Sequence, residues 1–364
     1  MFKPNFSITG RLASILMELE GLRQVINLLP IGPRLLTSLR ESAQLESIHY
    51  STMIEGNRLT QEEITKTLEE KEVFIGRERD QKEVWGYYQA LAFVEKIEQN
   101  NNKKNKITEE HIKKIHSLVM NDTNKNKKHH EYRTVQNVIR EGHSGAIVYL
   151  PPESADVPLL MKDLVTWLHE NQATLPTPII AAIAHYQFAT VHPYIDGNGR
   201  TARLLTTLIL RLSTYDLKGI YSLDHYYAQN LPAYYEALAV GPSHNYYMGR
   251  AQADITSWIE YFCAGMLSSF EKVKQQASQP GNKRKKDHSS MLRKLDTRQR
   301  MMLSLFQEQE KVTSHDVEKL LKIGARAASM LCLQWIKGGF LIMVDPAKKS
   351  RKYGLAPEFY ELIE

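Results

Sequence analysis

The sequence predicts a mainly α-helical protein in two parts, and three observations carry that expectation. Apolar residues recur at helical spacing in several long stretches, as in Leu204, Leu205, Leu208, Ile209 and Leu212. Only one pair of β-rich runs interrupts the first three quarters of the chain, around a Gly/Ser turn near residue 145. A polar, basic stretch then separates a last segment patterned as three helices and a hairpin. The expected divisions are a helical region over 1–110, a core over 111–275, a basic linker over 276–296 and a small domain over 297–364.

From Arg34 to Tyr50, the residues Leu35, Leu39, Leu45 and Ile48 recur with no glycine or proline, so the stretch reads as helix, and Gly56-Asn57 stops it. Ser51 and Glu55 then lie four apart on one face. A carboxylate in the last turn opposes the helix dipole, so Glu55 calls for a cationic partner. Further on, Tyr132-Arg133 through Val138-Ile139 and Gly142 through Pro152 form two β-rich runs about a Gly/Ser turn. They read as a hairpin, with Ala146, Ile147, Val148 and Tyr149 in its second half.

Pro178 to Ala184 reads as a helix start followed by an almost wholly apolar run, which suggests a central buried helix ending near His192. The periodic stretch from Leu204 is a second core helix. Between them lies His192-Pro193-Tyr194-Ile195-Asp196-Gly197-Asn198-Gly199-Arg200-Thr201-Ala202-Arg203, which has the composition of a phosphate site. Gly197 and Gly199 permit positive φ values that aim successive N–H groups into one anion-binding hollow, beside a helix start. Arg200 and Arg203 fall in that helix's first turn, where each cation is disfavoured by roughly 0.3–1 kcal/mol. Something negative must offset them.

Asp254 to Ile259, with Tyr261 and Phe262, reads as another packed helix, and residues 278 to 296 are polar, basic and turn-forming. Thr297 to Gln309 is a helical pattern, Thr313 caps a second, and Gly324 opens a third running Ala325 to Lys337. Runs at Phe340 to Val344 and Tyr353 to Leu355 flank the basic turn Lys348 to Lys352. That is the order of a winged helix-turn-helix domain, whose third helix, carrying Arg326, Gln334 and Lys337, would enter a major groove. Nucleic acid and protein contact both stay open. The formal net charge of +6 over 364 residues is too modest to decide between them. Arg11, Glu18 and Glu20 interrupt the one candidate for a secretory segment, and no uncharged apolar stretch approaches the ~20 residues a membrane span needs. Cys263 and Cys332 match neither a zinc pattern nor a disulfide framework, so a cytoplasmic location is expected.

The segment from His192 to Arg203 resembles the signature of Fic domains, His-Pro-Phe-x-Asp/Glu-Gly-Asn-Gly/Lys-Arg-x-x-Arg, with Tyr194 in place of phenylalanine. The resemblance implies a Fic-type helical core with a small β-hairpin flap, and an enzyme that moves the AMP part of ATP onto a protein Ser, Thr or Tyr hydroxyl. By position, His192 would be the general base, for which an ordinary imidazole pKa of about 6.5 is suitable. Asp196 would hold Mg2+ across the phosphates. Gly197, Asn198, Gly199, Arg200 and Thr201 would cradle the triphosphate, Arg203 would reach its γ phosphate, and Tyr234 and Tyr235 would lie beside the adenine. Ser51-Thr52-Met53-Ile54-Glu55-Gly56 resembles the family's inhibitory motif, Ser/Thr-x-x-x-Glu-Gly/Asn, whose glutamate would pair with Arg203 and take the place of the γ phosphate. The residues Ala146, Ile147, Val148 and Tyr149 would form a flap that docks the target segment by strand pairing. ATP is then the substrate, Mg2+ the cofactor and a protein hydroxyl the acceptor. Self-modification, a homodimer and nucleic acid binding through the winged helix are left open as further partners. The alternatives are a de-AMPylating or bifunctional enzyme, another nucleotide or a phosphocholine donor, and a DNA-binding regulator with a vestigial core.

Overall fold

A computed structural model describes residues 2–99, 106–121, 131–140, 147–241, 243–278, 295–345 and 351–362. The chain divides into two units, Met1–Ser278 and Gln279–Glu364. Among its described residues the first is helical apart from one short hairpin: α1 (Gly10–Leu28), α2 (Pro33–Ile54), α3 (Gln61–Thr65) with a π turn at Lys66–Glu70, α4 (Glu78–Gln99) and α5 (Glu109–Val119) precede the hairpin strands β1 (Ile139–Arg140) and β2 (Ile147–Tyr149). After them come α6 (Val157–Asn171), α7 (Thr177–Val191), α8 (Asn198–Leu212), α9 (Leu223–Gln229), α10 (Leu231–Leu238) and α11 (Thr256–Ser278).

Helix α7 is the axis of the core. Every residue of it but Thr177 and Ala189 is buried, as its unbroken apolar run requires, and it packs against α6, α8 and α11. Trp258 of α11 fixes that packing by donating its indole N–H to the Ala182 carbonyl at 2.7 Å. Helix α8 buries Leu204, Leu205, Leu208 and Ile209 against the same core. The helical region expected over 1–110 lies within the same compact unit as the core expected over 111–275. Helix α1 lies along α11, and α2 packs on α9 and α4, which covers their apolar stripes.

Local signals explain most boundaries. Pro33 starts α2, Thr60 and Glu63 close a capping box on α3, and Gly56 takes φ +92° where α2 stops. The hairpin pairs Ile139 with Tyr149 and Arg140 with Ile147; its turn, with Ala146, lies outside the described residues.

The second unit has its own core of Met302, Val317, Cys332, Trp335, Phe340 and Tyr353. It runs α12 (Thr297–Glu308), β3 (Val312–Thr313), α13 (Ser314–Leu321), α14 (Ala325–Lys337), β4 (Leu341–Asp345) and β5 (Lys352–Leu355). The strands form an antiparallel sheet in the order β3-β5-β4, so Val312–Thr313 adds a strand that two residues were too short to announce. The basic linker expected over 276–296 is shorter at both ends. Helix α11 continues to Ser278, Leu295 is buried in the second core, and Asp296 caps α12 through the Gln299 amide. Most of the basic turn, Lys348 to Ser350, falls outside the described residues. Cys263 and Cys332 are free and buried, one in each unit, and burial pushes their thiols up to about 12 and about 11. Among the described residues no helix is long and apolar enough to cross a membrane.

Candidate active site

His192 is the residue at which α7 ends. It adopts the left-handed conformation at φ +50°, a helix-terminating geometry that turns the chain sharply into the loop. Its Nδ1 lies 3.3 Å from the Ala189 carbonyl, so in the neutral ring Nδ1–H donates there and Nε2 keeps its lone pair. Burial holds the imidazole down to about 4, against a smaller opposing effect of the Ala189 carbonyl. At neutral pH the ring is therefore uncharged and able to accept a proton.

Arg133 holds the start of this loop, a role its position beside Tyr132 did not reveal. Its buried guanidinium donates to the carbonyls of His192 at 3.0 Å, Val135 at 3.2 Å and Pro152, while its backbone N–H donates to the Pro193 carbonyl at 2.9 Å. Beneath the loop, His116 stacks on Tyr194 with centroids 3.5 Å apart and meets the Asp196 carbonyl at 2.9 Å through Nε2. The Tyr194 hydroxyl, the one departure from the signature, is buried without a hydrogen-bond partner among the described residues.

Several signature residues serve the loop rather than the hollow. Asn198 closes it on itself, accepting from the Tyr194 N–H at 2.9 Å and donating to the Tyr194 carbonyl at 2.8 Å. Thr201 is fully buried and donates to the Gly197 carbonyl at 2.8 Å. Both were expected in the phosphate cradle; their side chains bond the helix start, whose terminal groups need partners. Gly197 does take a positive φ, +76°, as the N-cap of α8. Gly199 does not: it is already helical, and its lack of a side chain makes room for the Glu55 carboxylate, which an added Cβ would strike.

The two arginines are buried and differ in what they meet. Arg200, 3% exposed, reaches Asp196 only at 3.5 Å, and its Nε has no hydrogen-bond partner among the described residues. Arg203, 2% exposed, donates from Nε to the Ser51 hydroxyl at 2.7 Å and from Nη2 to the Ser51 carbonyl at 2.8 Å and Glu55 Oε1 at 2.9 Å. A second carboxylate, Asp224 of α9, approaches its Nε at 3.3 Å from the inner side. Burial works against the charge on Arg203, but Glu55, Tyr234 and Asp224 outweigh it and hold the guanidinium above its ordinary value. Asp224 stands in no recognisable motif, so sequence reasoning passed it by.

Tyr234 and Tyr235 part company. Tyr234 is buried, hydrogen-bonded to His185 at 2.9 Å and stacked on Tyr227, so it is core rather than a face for a base. Tyr235 is half exposed beside it. On the hairpin, Ile147 and Val148 are exposed, whereas Tyr149 is buried and anchors the strand by donating to the Thr190 carbonyl at 2.8 Å. Asp196 presents an exposed carboxylate whose Oδ1 accepts from the Gly197 N–H at 2.6 Å. Among the described residues no cluster of three metal-ligating side chains occurs. A single carboxylate suits a Mg2+ that arrives with a polyphosphate and its waters, and does not suit a resident metal cage.

A loop carrying two buried arginines at the start of α8 follows a neutral histidine at the end of α7. Residues 106–210 match the Fic/DOC family, and the chain carries a Fic domain there. Among individual proteins, it is similar to the protein adenylyltransferase Fic of Drosophila grimshawi, at 31% identity over 204 residues, 54% of this chain and 39% of that one. It is similar also to that of Aedes aegypti, at 33% identity over 174 residues, 47% and 33% of the two chains. The chain thus spans about two fifths or less of the length of these curated relatives. The fold matches solved structures of a Fic family protein from Desulfovibrio desulfuricans (TM-score 0.62, 21% identity, 98% of this chain and 99% of that one) and of Fic-1 from C. elegans (TM-score 0.57, 25% identity, 72% of each chain).

Proposed function

We propose that the protein is a protein adenylyltransferase that moves AMP from MgATP to Ser, Thr or Tyr hydroxyls of proteins, its own included, and is restrained by Glu55. The observation that carries this reading is the pair of buried arginines. Arg200 meets Asp196 only at 3.5 Å and leaves its Nε without a hydrogen-bond partner among the described residues, and the Arg203 guanidinium is engaged by a carboxylate reaching in from the end of α2. Buried cations are costly unless well compensated, and a triphosphate would supply Arg200 with a closer anion than Asp196 and could take the place of Glu55 on Arg203.

In the reaction the acceptor oxygen attacks the α-phosphorus while its proton passes to Nε2 of His192. The bond to the bridging oxygen breaks and pyrophosphate leaves, with no enzyme-bound intermediate. Arg200 and the first amides of α8 balance the charge that develops. Asp196 would hold Mg2+, which neutralises charge on the phosphates when bound. Exposed Ile147 and Val148 offer main chain for the target segment to pair with. With Glu55 on Arg203, the γ phosphate has no seat and ATP sits unproductively.

The second unit, read as a winged helix, exposes Arg326, Gln334 and Lys337 on α14, but also Met330 and Leu333, so its surface suits protein contact as well as nucleic acid. Two buried free thiols accord with a reducing cytoplasm. The test of the enzyme is labelled ATP: α-phosphate label becomes protein-bound and γ-phosphate label does not. Absence of both, even in Glu55→Gly, overturns the reading.

A further inference from the structure

Arg203 has two carboxylate partners of different kinds. Glu55, 29% exposed, caps the last turn of α2 and is held to the guanidinium through one oxygen. Asp224, 5% exposed, is fastened from behind: its Oδ2 accepts from the Ser47 hydroxyl at 2.7 Å and from the Ser222 hydroxyl at 3.3 Å, and Ser47 in turn meets the Tyr87 hydroxyl at 3.3 Å. Groups from α2, α4 and α9 therefore fix Asp224 in place. Its Oδ1 faces Arg203 Nε at 3.3 Å without making a hydrogen bond, the Nε proton going to Ser51 instead. Asp224 acts on Arg203 as a charge.

Resting on the proposed function, we infer that Asp224 is a positioning residue, the standing counter-ion of Arg203, which keeps the guanidinium balanced while its outer partner changes from Glu55 to the terminal phosphate of a nucleoside triphosphate. Without it, release of Glu55 would strand a cation in the protein interior, where an uncompensated charge is strongly destabilising. With Glu55 docked, two carboxylates share one cation, and burial pushes the Asp224 carboxyl up. Once Glu55 leaves, Arg203 and Asp224 remain as a neutral pair. The arrangement makes Glu55 exchangeable and tempers the pull of Arg203 on any anion at its outer side.

The test compares full-length Asp224→Asn, Glu55→Gly and the double variant with the parent protein. Asparagine keeps the shape and can still accept from Ser47. Melting temperatures without nucleotide should fall modestly for each single variant and by clearly more than their sum for the double, including failure of the double to fold. Calorimetry should show ATP binding the double variant about tenfold or more tighter than Glu55→Gly, with AMP, which ends before the terminal phosphate, unchanged. Additive melting temperatures, an unfolded Asp224→Asn, or equal weakening of ATP and AMP would overturn the inference, since each marks a purely structural residue. Should ATP fail to bind Glu55→Gly at all, the proposed function falls, while the melting temperatures still decide the role of Asp224.

Discussion

Glu55 accepts from Arg203 at 2.9 Å directly above Gly199, so the last turn of α2 and the first turn of α8 meet with no room for a side chain between them. The contact joins residues 148 positions apart in one folded unit.

Glu55→Gly is expected to raise protein labelling from α-labelled ATP by at least about tenfold, because one charge-assisted hydrogen bond on a buried cation is removed. His192→Ala in that background should lower labelling by about a hundredfold or more. Autoradiography of the two variants beside the parent protein checks both; unchanged labelling in Glu55→Gly would refute the restraint.

Gly199→Ala gives a second route to the same loosening. The methyl group improves helix propensity on α8 yet collides with the Glu55 carboxylate. The expected result is a net stability loss of about 1–3 kcal/mol by chemical denaturation. In Glu55→Gly the same alanine should instead be neutral or stabilising, and an equal loss in both backgrounds would show that Glu55 is not what the methyl meets.

For His192, burial lowers the folded pKa to about 4 from an ordinary value of 6.5, so folding favours the neutral ring. Its contribution to stability is complete above about pH 6.5 and is lost as pH falls toward 4, because the unfolded chain binds the proton first. The kcat/KM of Glu55→Gly should accordingly hold through pH 6 and decline as pH falls through about 4. Urea midpoints across pH 4–7 for the parent and His192→Gln check the stability arm: the glutamine variant should show the shallower acid slope.

Arg133→Ala should cost about 2–4 kcal/mol, since it strips several buried carbonyls of their donor at once. Arg133→Lys should recover little of this, because an ammonium cannot span carbonyls of three separate segments. Melting temperatures report the stability, and kcat should fall with them through loss of the His192 backbone anchor.

Chelation of divalent cations should abolish labelling, and Asp196→Ala should raise the Mg2+ concentration needed for half-maximal rate by about tenfold or more. A titration of rate against Mg2+ separates this from loss of ATP binding.

Much of the helical architecture could be read from residue spacing. Helices α2, α7 and α8 announce themselves by apolar period, Pro starts and glycine stops, all of which are local. The family signature was legible because His192 through Arg203 is contiguous. What escaped was anything assembled from distant positions. Asp224 and Ser47 meet across 177 positions, and Arg133 reaches the His192 carbonyl across 59. Asn198 and Thr201 look like ligands by type, and only the structure shows that they also hydrogen-bond neighbouring backbone. Tyr234 and Tyr235 are adjacent on a helix and so point about 100° apart, and composition cannot say which of the two faces inward.

Because the end of α2 and the start of α8 belong to one compact body, the contact between Glu55 and Arg203 is what folding itself delivers. On this reading a newly made chain leaves the ribosome already switched off. Under the proposed restraint, whatever releases the protein must do work on the last turn of α2.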